Sequence, residues 1–164
     1  MPGVYDLLVW IEGSAIGQLM RHSGPWTYAL VNLSHLVGVA VLFGSVLMLD
    51  LRLLGAWRRL PLAGFAATVP AVASSGFVLA AASGVGLLAT KATEYADNPF
   101  MLVKFPAIAL ALVNVAITAR STAWQAAGDA EMSHRNRRRL ALAGGWSLAS
   151  WFTAVAAGRL VGYW

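Results

Sequence analysis

Four long apolar stretches dominate the chain. They cover approximately residues 26–49, 64–90, 99–119 and 140–162. A helix needs roughly 20 apolar residues to cross a hydrocarbon core of about 30 Å, and each stretch is long enough. In none of them do polar and apolar residues alternate with the two-residue period of a barrel strand. Because every backbone polar group in lipid needs an internal hydrogen-bond partner, the stretches are expected to be helices. The pattern predicts an all-α integral membrane four-helix bundle that forms a single membrane domain over residues 1–164.

The segment before the first stretch has a different pattern. Apolar residues recur at helical spacing, and the polar residues Asp6, Glu12 and Gln18 lie off that stripe. This arrangement is typical of an amphipathic helix lying in the membrane interface. We predict such a helix over 3–22, ended by Ser-Gly-Pro at 23–25. The members of the apolar stripe are Val4, Leu8, Ile11, Ala15 and Leu19.

The composition excludes several classes of function. The chain is 59% hydrophobic and 12% charged, about half the charge of a soluble domain. It contains no cysteine, which excludes thiolate catalysis, iron–sulfur clusters and covalently attached haem. We find no phosphate-binding glycine loop, zinc motif or nucleophile elbow. The predicted spans also contain no carboxylate, which argues against a proton-relay pump or a cation-coupled transporter.

The basic residues predict the orientation of the bundle. Of the 12 Lys and Arg residues, eight fall in the two loops that follow the first and third stretches. The positive-inside rule therefore places both loops in the cytoplasm and both termini outside, with the chain anchored in the lipid bilayer. This placement explains the basic excess without a nucleic acid partner. The eight residues are Arg52, Arg58, Arg59, Arg120, Arg135, Arg137, Arg138 and Arg139.

Three ionisable residues interrupt the apolar stretches, and an intramembrane charge usually marks a functional position. His35 lies well inside the first stretch, Lys104 in the third and Arg159 near the end of the fourth. Asn32 and His35 share a helical stripe with small residues, which indicates a face turned towards other helices. The predicted topology places Lys104 and Arg159 nearer the outer surface than His35.

This arrangement suits a bound redox cofactor. A neutral imidazole is an axial ligand for haem b, and two cations can neutralise its propionates. The same polar groups can hydrogen-bond the carbonyls of a quinone. We therefore expect a cofactor site at His35, with Asn32, Lys104 and Arg159 around it and His35 as the metal ligand. The alternative is that His35 only hydrogen-bonds a neighbouring helix.

The sequence does not supply a second intramembrane histidine for the iron. His22 precedes His35 by 13 residues, but the Ser-Gly-Pro sequence at 23–25 is expected to break the helix between them, and His134 falls in a basic loop. A five-coordinate haem, or one shared by two copies of the chain, would need no second histidine.

The sequence HLVGVAVLFGSVLMLDLRLLG, from His35 to Gly55, resembles an uncharacterised family of small bacterial four-helix membrane proteins. The similarity continues through NPFMLVK at 98–104 and AAGRLVGY at 156–163. That family is distantly similar to the membrane domains of copper-resistance D proteins and b-type cytochromes. The resemblance implies a haem or copper role for His35, with Lys104 and Arg159 nearby. Members often carry another histidine near the end of the third span, where this chain has NVAITAR.

Three functions follow as hypotheses. The first is a redox module in the bacterial inner membrane, with both termini periplasmic, that binds haem b or a quinone and exchanges electrons with a partner. The second is a non-catalytic anchor or assembly subunit of a homo-oligomer or larger redox complex. The third is a copper-handling protein that uses Met20, Met48 and Met101 beside His35, since thioethers suit Cu(I).

Overall fold

The computed structural model describes residues 2–128 and 132–164, and nearly all of them are helical. Among these residues, four helices are long and apolar enough to cross a membrane, so the chain is a multi-pass membrane protein with a four-helix bundle. The helices are α1 (Pro2–Gly13), α2 (Ala15–His22), α3 (Gly24–Leu54), α4 (Leu62–Thr90), α5 (Pro99–Ala119), α6 (Thr122–Gln125) and α7 (His134–Leu160). Three short 3₁₀ turns at Ala92–Tyr95, Ala126–Gly128 and Val161–Tyr163 complete the described chain.

The four long helices alternate in direction, so the bundle has two distinct ends. We call the end that carries α1, α2, the loop 91–98 and Trp164 the terminal end. The opposite end carries the loop 55–61, the segment 120–128 and the start of α7, and we call it the arginine-rich end. The predicted four-helix architecture is confirmed.

Small residues bring α3 and α4 into backbone contact. A Cβ atom added at Gly38 would lie 2.5 Å from the amide nitrogen of Ala80, and one added at Gly76 would lie 2.5 Å from that of Leu42. No side chain fits at either position, so glycine sets the separation of the two helices. Gly38, Gly76 and Ala80 are all buried at this contact.

The other close helix pairs are α5 with α7 and α3 with α7. By contrast, α4 and α5, which are both described in full, make almost no close backbone contact. An apolar cluster fills the middle of the bundle, and the ring of Phe77 meets that of Trp151 edge-on with centroids 6.3 Å apart. The buried members of this central cluster are Leu42, Val46, Ala111 and Trp151.

Two of the long helices reach further than the hydropathy predicts. Helix α3 continues five residues beyond Leu49, to Leu54. Gly55 caps its end, with a φ of +111° that suits glycine. Helix α7 begins at His134 rather than at 140, because the Ser133 side chain accepts a hydrogen bond from the Asn136 amide. Four arginines predicted to lie in a loop therefore occupy the first two turns of α7, where they remain exposed.

The predicted interfacial helix over 3–22 is two helices rather than one. The Ser14 side chain caps the start of α2 and also donates to the Ile11 carbonyl, so the chain bends between α1 and α2. Of the predicted stripe, Leu19 is 64% exposed, while its neighbour Met20 is buried. The side chain of Val4 lies outside the described residues. The predicted break after α2 is confirmed by Gly24, with a φ of +78°.

Candidate functional site

The His35 side chain joins α3 to the backbone of α4. Its Nδ1 atom lies 2.8 Å from the carbonyl oxygen of Ala80. A carbonyl only accepts hydrogen bonds, so the proton of a neutral imidazole sits on Nδ1 and donates to Ala80. Nε2 then carries the free lone pair, and it makes no hydrogen bond to any residue that the structure describes. A histidine that binds a metal is commonly oriented by this kind of bond through its other nitrogen.

Ser83 and Gly84 form the α4 surface against which the imidazole lies. The Ser83 hydroxyl donates to the Leu79 carbonyl one turn earlier and has its oxygen 3.4 Å from Nδ1. A Cβ atom added at Gly84 would lie 3.0 Å from Cε1 of His35, closer than a side-chain contact normally allows. Gly84 therefore provides the space in which the ring sits.

Lys104 approaches the same region from α5. Its side chain is half-buried and lies over Gly158 of α7, where an added Cβ atom would be 3.5 Å from Nζ. Lys104 and His35 lie in the same half of the bundle, on α5 and α3 respectively. Lys104 donates no hydrogen bond to the described part of the chain. A cation in such a position normally has an anionic or polar partner.

Arg159 and Asn32 are placed less centrally than the sequence suggested. Arg159 is exposed at the terminal end, where it donates a hydrogen bond of 2.5 Å to the Tyr163 hydroxyl and lies 4.7 Å from the centre of that ring. Asn32 is exposed, and within the described residues its side chain makes no hydrogen bond. The structure thus places His35 and Lys104 in the same half of the bundle, Arg159 exposed at the terminal end, and Asn32 on the outside of the bundle.

The residues at His35 fit one axial ligand of a haem and one propionate partner. A single imidazole nitrogen is free, and Lys104 is a nearby cation without a partner among the described residues. No second histidine joins them, and no group of three His, Cys, Asp or Glu side chains in the described ranges is arranged to hold a metal ion. The donor set therefore suits a five-coordinate haem or one shared between two chains, and it does not suit a multidentate metal site.

The three methionines considered for copper do not converge on His35. Met20 is buried near the terminal end of α4, next to Gly86. Met48 is 51% exposed and lies 13 residues beyond His35, about 20 Å along α3. Met101 is half-buried on α5.

The loop at the terminal end is fastened to α1 and α2 by two charged residues. The Glu12 carboxylate accepts hydrogen bonds from the amide and the hydroxyl of Thr93, at 2.8 and 2.7 Å. These bonds, the amide first, hold the pKa of Glu12 below its usual range. Arg21 donates to the carbonyls of Ala89 and Thr90 at the end of α4, which the helix itself leaves unpaired.

Sequence reasoning missed Asp50. This residue lies in α3, one position beyond the predicted first span, and it is 3% exposed. Ser147 of α7 lies beside the carboxyl group. The spacing of Leu42, Val46 and Asp50, four residues apart, places all three on one face of α3 and is the signal that would have found it.

Comparison of the chain with models of known protein families, with curated proteins and with solved structures gave no match in any of the three.

Proposed function

We propose that this protein is a membrane-embedded redox subunit that binds haem b at His35 and exchanges electrons with a partner protein. The supporting observation is the bond from Nδ1 of His35 to the Ala80 carbonyl, at 2.8 Å. It fixes the ring on α4 and leaves Nε2 as a lone-pair donor for iron. When bound, the haem would carry one electron at a time through its iron, and the protein's part is to hold and orient it.

The positive charges at this end of the bundle suit the propionate groups of a haem. Lys104 lies on α5 and Arg159 on α7, both towards the terminal end of the bundle. Both side chains carry positive charge towards the terminal end, where water meets the membrane. We assign the propionates of the haem to this end, with Lys104 as the inner partner and Arg159 as the outer one.

A quinone is the second occupant that this site suits. Nε2 of His35 would accept a hydrogen bond from the hydroxyl of a quinol, and the Lys104 ammonium would donate to a quinone carbonyl. Because the same two residues serve either cofactor, absorption spectra and solvent extraction of the purified protein distinguish the two occupants.

Visible absorption spectra of the purified protein, oxidised and reduced with dithionite, test the haem proposal. We expect a Soret band that is lost in His35→Ala and retained in the matched variant His134→Ala, since His134 is exposed at the other end. Solvent extraction followed by chromatography tests for a bound quinone. A colourless protein from haem-replete cells that also yields no quinone would contradict the redox proposal.

We further propose that the chain lies in the bacterial inner membrane with both termini in the periplasm. The eight basic residues at the arginine-rich end support this orientation by the positive-inside rule. Because the chain contains no cysteine, single cysteines report the topology directly. We expect a membrane-impermeant maleimide to label Trp164→Cys in intact spheroplasts and to leave Arg59→Cys unlabelled until the membrane is permeabilised.

A non-catalytic anchor or assembly subunit is the second candidate function. It is favoured by the fact that the His35–Ala80 bond already links α3 to α4 without any cofactor. For this function, His35→Ala lowers the stability of the protein or of its complex and changes no spectrum. Copper handling ranks behind both, because Met48 lies far along α3 and faces outwards.

A further inference from the structure

The carboxyl group of Asp50 is enclosed by protein at the arginine-rich end of α3. It lies 11 residues from the middle of that helix, about 16 Å, and so at the edge of the hydrocarbon core. Only 3% of the residue is exposed, and its Oδ2 atom is buried without a hydrogen-bond partner. Among the described residues, one other buried side-chain nitrogen or oxygen atom has no hydrogen-bond partner, the indole nitrogen of Trp151 on α7.

No positive charge in the described chain compensates Asp50. The one ion pair there joins Lys91 and Glu94 at the terminal end. Arg52, two residues away, donates to the Leu60 carbonyl at 2.8 Å. Helix α4 carries no charged residue, and the one charge of α5 is Lys104, close to the terminal end.

The facing helix, α7, is equally neutral at this level. Gly144 packs against the Asp50 backbone, where an added Cβ atom would lie 3.2 Å from its carbonyl oxygen, and Ser147 lies beside the carboxyl group. Four of the five arginines of α7 lie in its first two turns and are exposed, and the fifth, Arg159, lies at the terminal end. On α5, the side-chain amide of Asn114 donates to the Ala143 carbonyl at 3.0 Å.

A buried carboxylate in such surroundings requires either a cation or a proton. Metal cations such as Ca²⁺ and Mg²⁺ require about six oxygen ligands, and Asp50 is not part of any group of three acidic or histidine side chains in the described ranges. A proton requires only the carboxyl group itself, and it removes the charge that burial disfavours. We propose that Asp50 is a proton-binding site, occupied at neutral pH, on the seam between α3 and α7.

This site is separate from the one at His35. The two residues are 15 positions apart on α3, about 22 Å, and the central apolar cluster lies between them. Asp50 therefore exchanges its proton with the water at the arginine-rich end. The proposal does not depend on a cofactor at His35, and its failure would leave the redox proposal untouched.

Infrared spectroscopy of the full-length protein in an ester-free detergent tests the proposal. At neutral pH we expect the C=O stretch of a protonated carboxylic acid, well separated from the carboxylate bands. The band should be lost in Asp50→Asn and kept in Asp97→Asn, whose side chain is exposed. Its absence from the wild-type protein, or its persistence in Asp50→Asn, would overturn the proposal.

Two further measurements keep the test decisive. Labelling the aspartate carboxyl carbons with ¹³C should shift the band in the wild-type protein, so an Asp50→Asn variant that misfolds does not leave the question open. Asn has the shape of a protonated Asp, so we also expect the thermal unfolding midpoint of Asp50→Asn to match that of the wild type. A midpoint that rises with sodium or potassium at constant ionic strength in the wild type, but not in Asp50→Asn, would replace the proton by a bound cation.

Discussion

Nδ1 of His35 lies 2.8 Å from the carbonyl oxygen of Ala80, so a side chain of α3 is bonded to the backbone of α4 deep in the bundle. Because Gly84 has no side chain, it leaves the space that the His35 ring occupies. Gly84→Ala places a methyl group 3.0 Å from Cε1 and must displace the ring by a few tenths of an ångström. We expect a loss of about 1 kcal/mol in unfolding free energy, measured by thermal unfolding in detergent, and a shift of any Soret band.

The matched control is Gly64→Ala, on the same helix, where an added Cβ atom meets nothing within 4 Å. Equal effects of the two substitutions would mean that the loss comes from changing a helical glycine and not from His35.

The contact between α3 and α4 depends on glycine at position 38. Gly38→Ala places a methyl group 2.5 Å from the Ala80 amide nitrogen, which forces the two backbones apart. Overpacking of this kind costs about 1–3 kcal/mol. We expect this loss in unfolding experiments, and we expect Gly44→Ala on the same helix to be neutral, since its added Cβ atom would meet open space. A well-tolerated Gly38→Ala would show that the helices adjust at little cost.

The attachment of α1 to the loop at the terminal end depends on pH. The hydrogen bonds from Thr93 hold the pKa of Glu12 below its usual range, so the carboxylate is bound more tightly than its protonated form. The sign follows from this: the contribution is fully present above the ordinary pKa of Glu12 and is lost as the pH falls through the lowered value. We expect a lower protection factor for the Thr93 amide at acid pH, where the protection factor is the exchange rate of an unprotected amide at that pH divided by the observed rate.

The Glu12→Gln variant should show the same low protection factor at neutral pH as well. Glu94→Gln is the control, because Glu94 is exposed and pairs with Lys91. Protection of the Thr93 amide that persists in Glu12→Gln would contradict the assignment.

Asn114 links the two helices of the α5–α7 pair. Its side-chain amide donates to the Ala143 carbonyl at 3.0 Å, within an apolar surrounding. Interhelical hydrogen bonds in membranes contribute about 1 kcal/mol, so Asn114→Ala should lower the unfolding free energy by that amount. Val113→Ala, at an exposed neighbouring position, provides the comparison. A larger loss would indicate that the amide serves more than packing.

The four spans could be predicted from hydropathy because lipid demands long apolar helices. Their ends could not, because capping decides them: Ser133 starts α7 inside the arginine-rich segment, and Gly55 ends α3 after a buried Asp50. A hydropathy scale scores both Asp50 and Arg52 as strongly polar, so either residue marks the end of a predicted span. Only the packing of α7 shows that one of them is enclosed and the other is not.

The candidate site could be predicted in part. An ionisable residue in an apolar span is visible in the sequence, and His35 and Lys104 were found in this way. Their partners were not visible, since the acceptor for His35 is a backbone carbonyl, which any residue at position 80 would supply. Asn32 shares a helical stripe with His35, but its position on the outside of the bundle depends on how α3 is rotated against its neighbours.

The scarcity of close contact between α4 and α5 has a consequence for how the molecule assembles. Helices α3 and α4 form one hairpin, and α5 and α7 form another, each with its arginine-rich turn on the same side. Each hairpin can insert into the bilayer as a unit, and the two then join chiefly along α3 and α7. Two separately expressed halves, divided within 91–98, should therefore reassemble into the same bundle.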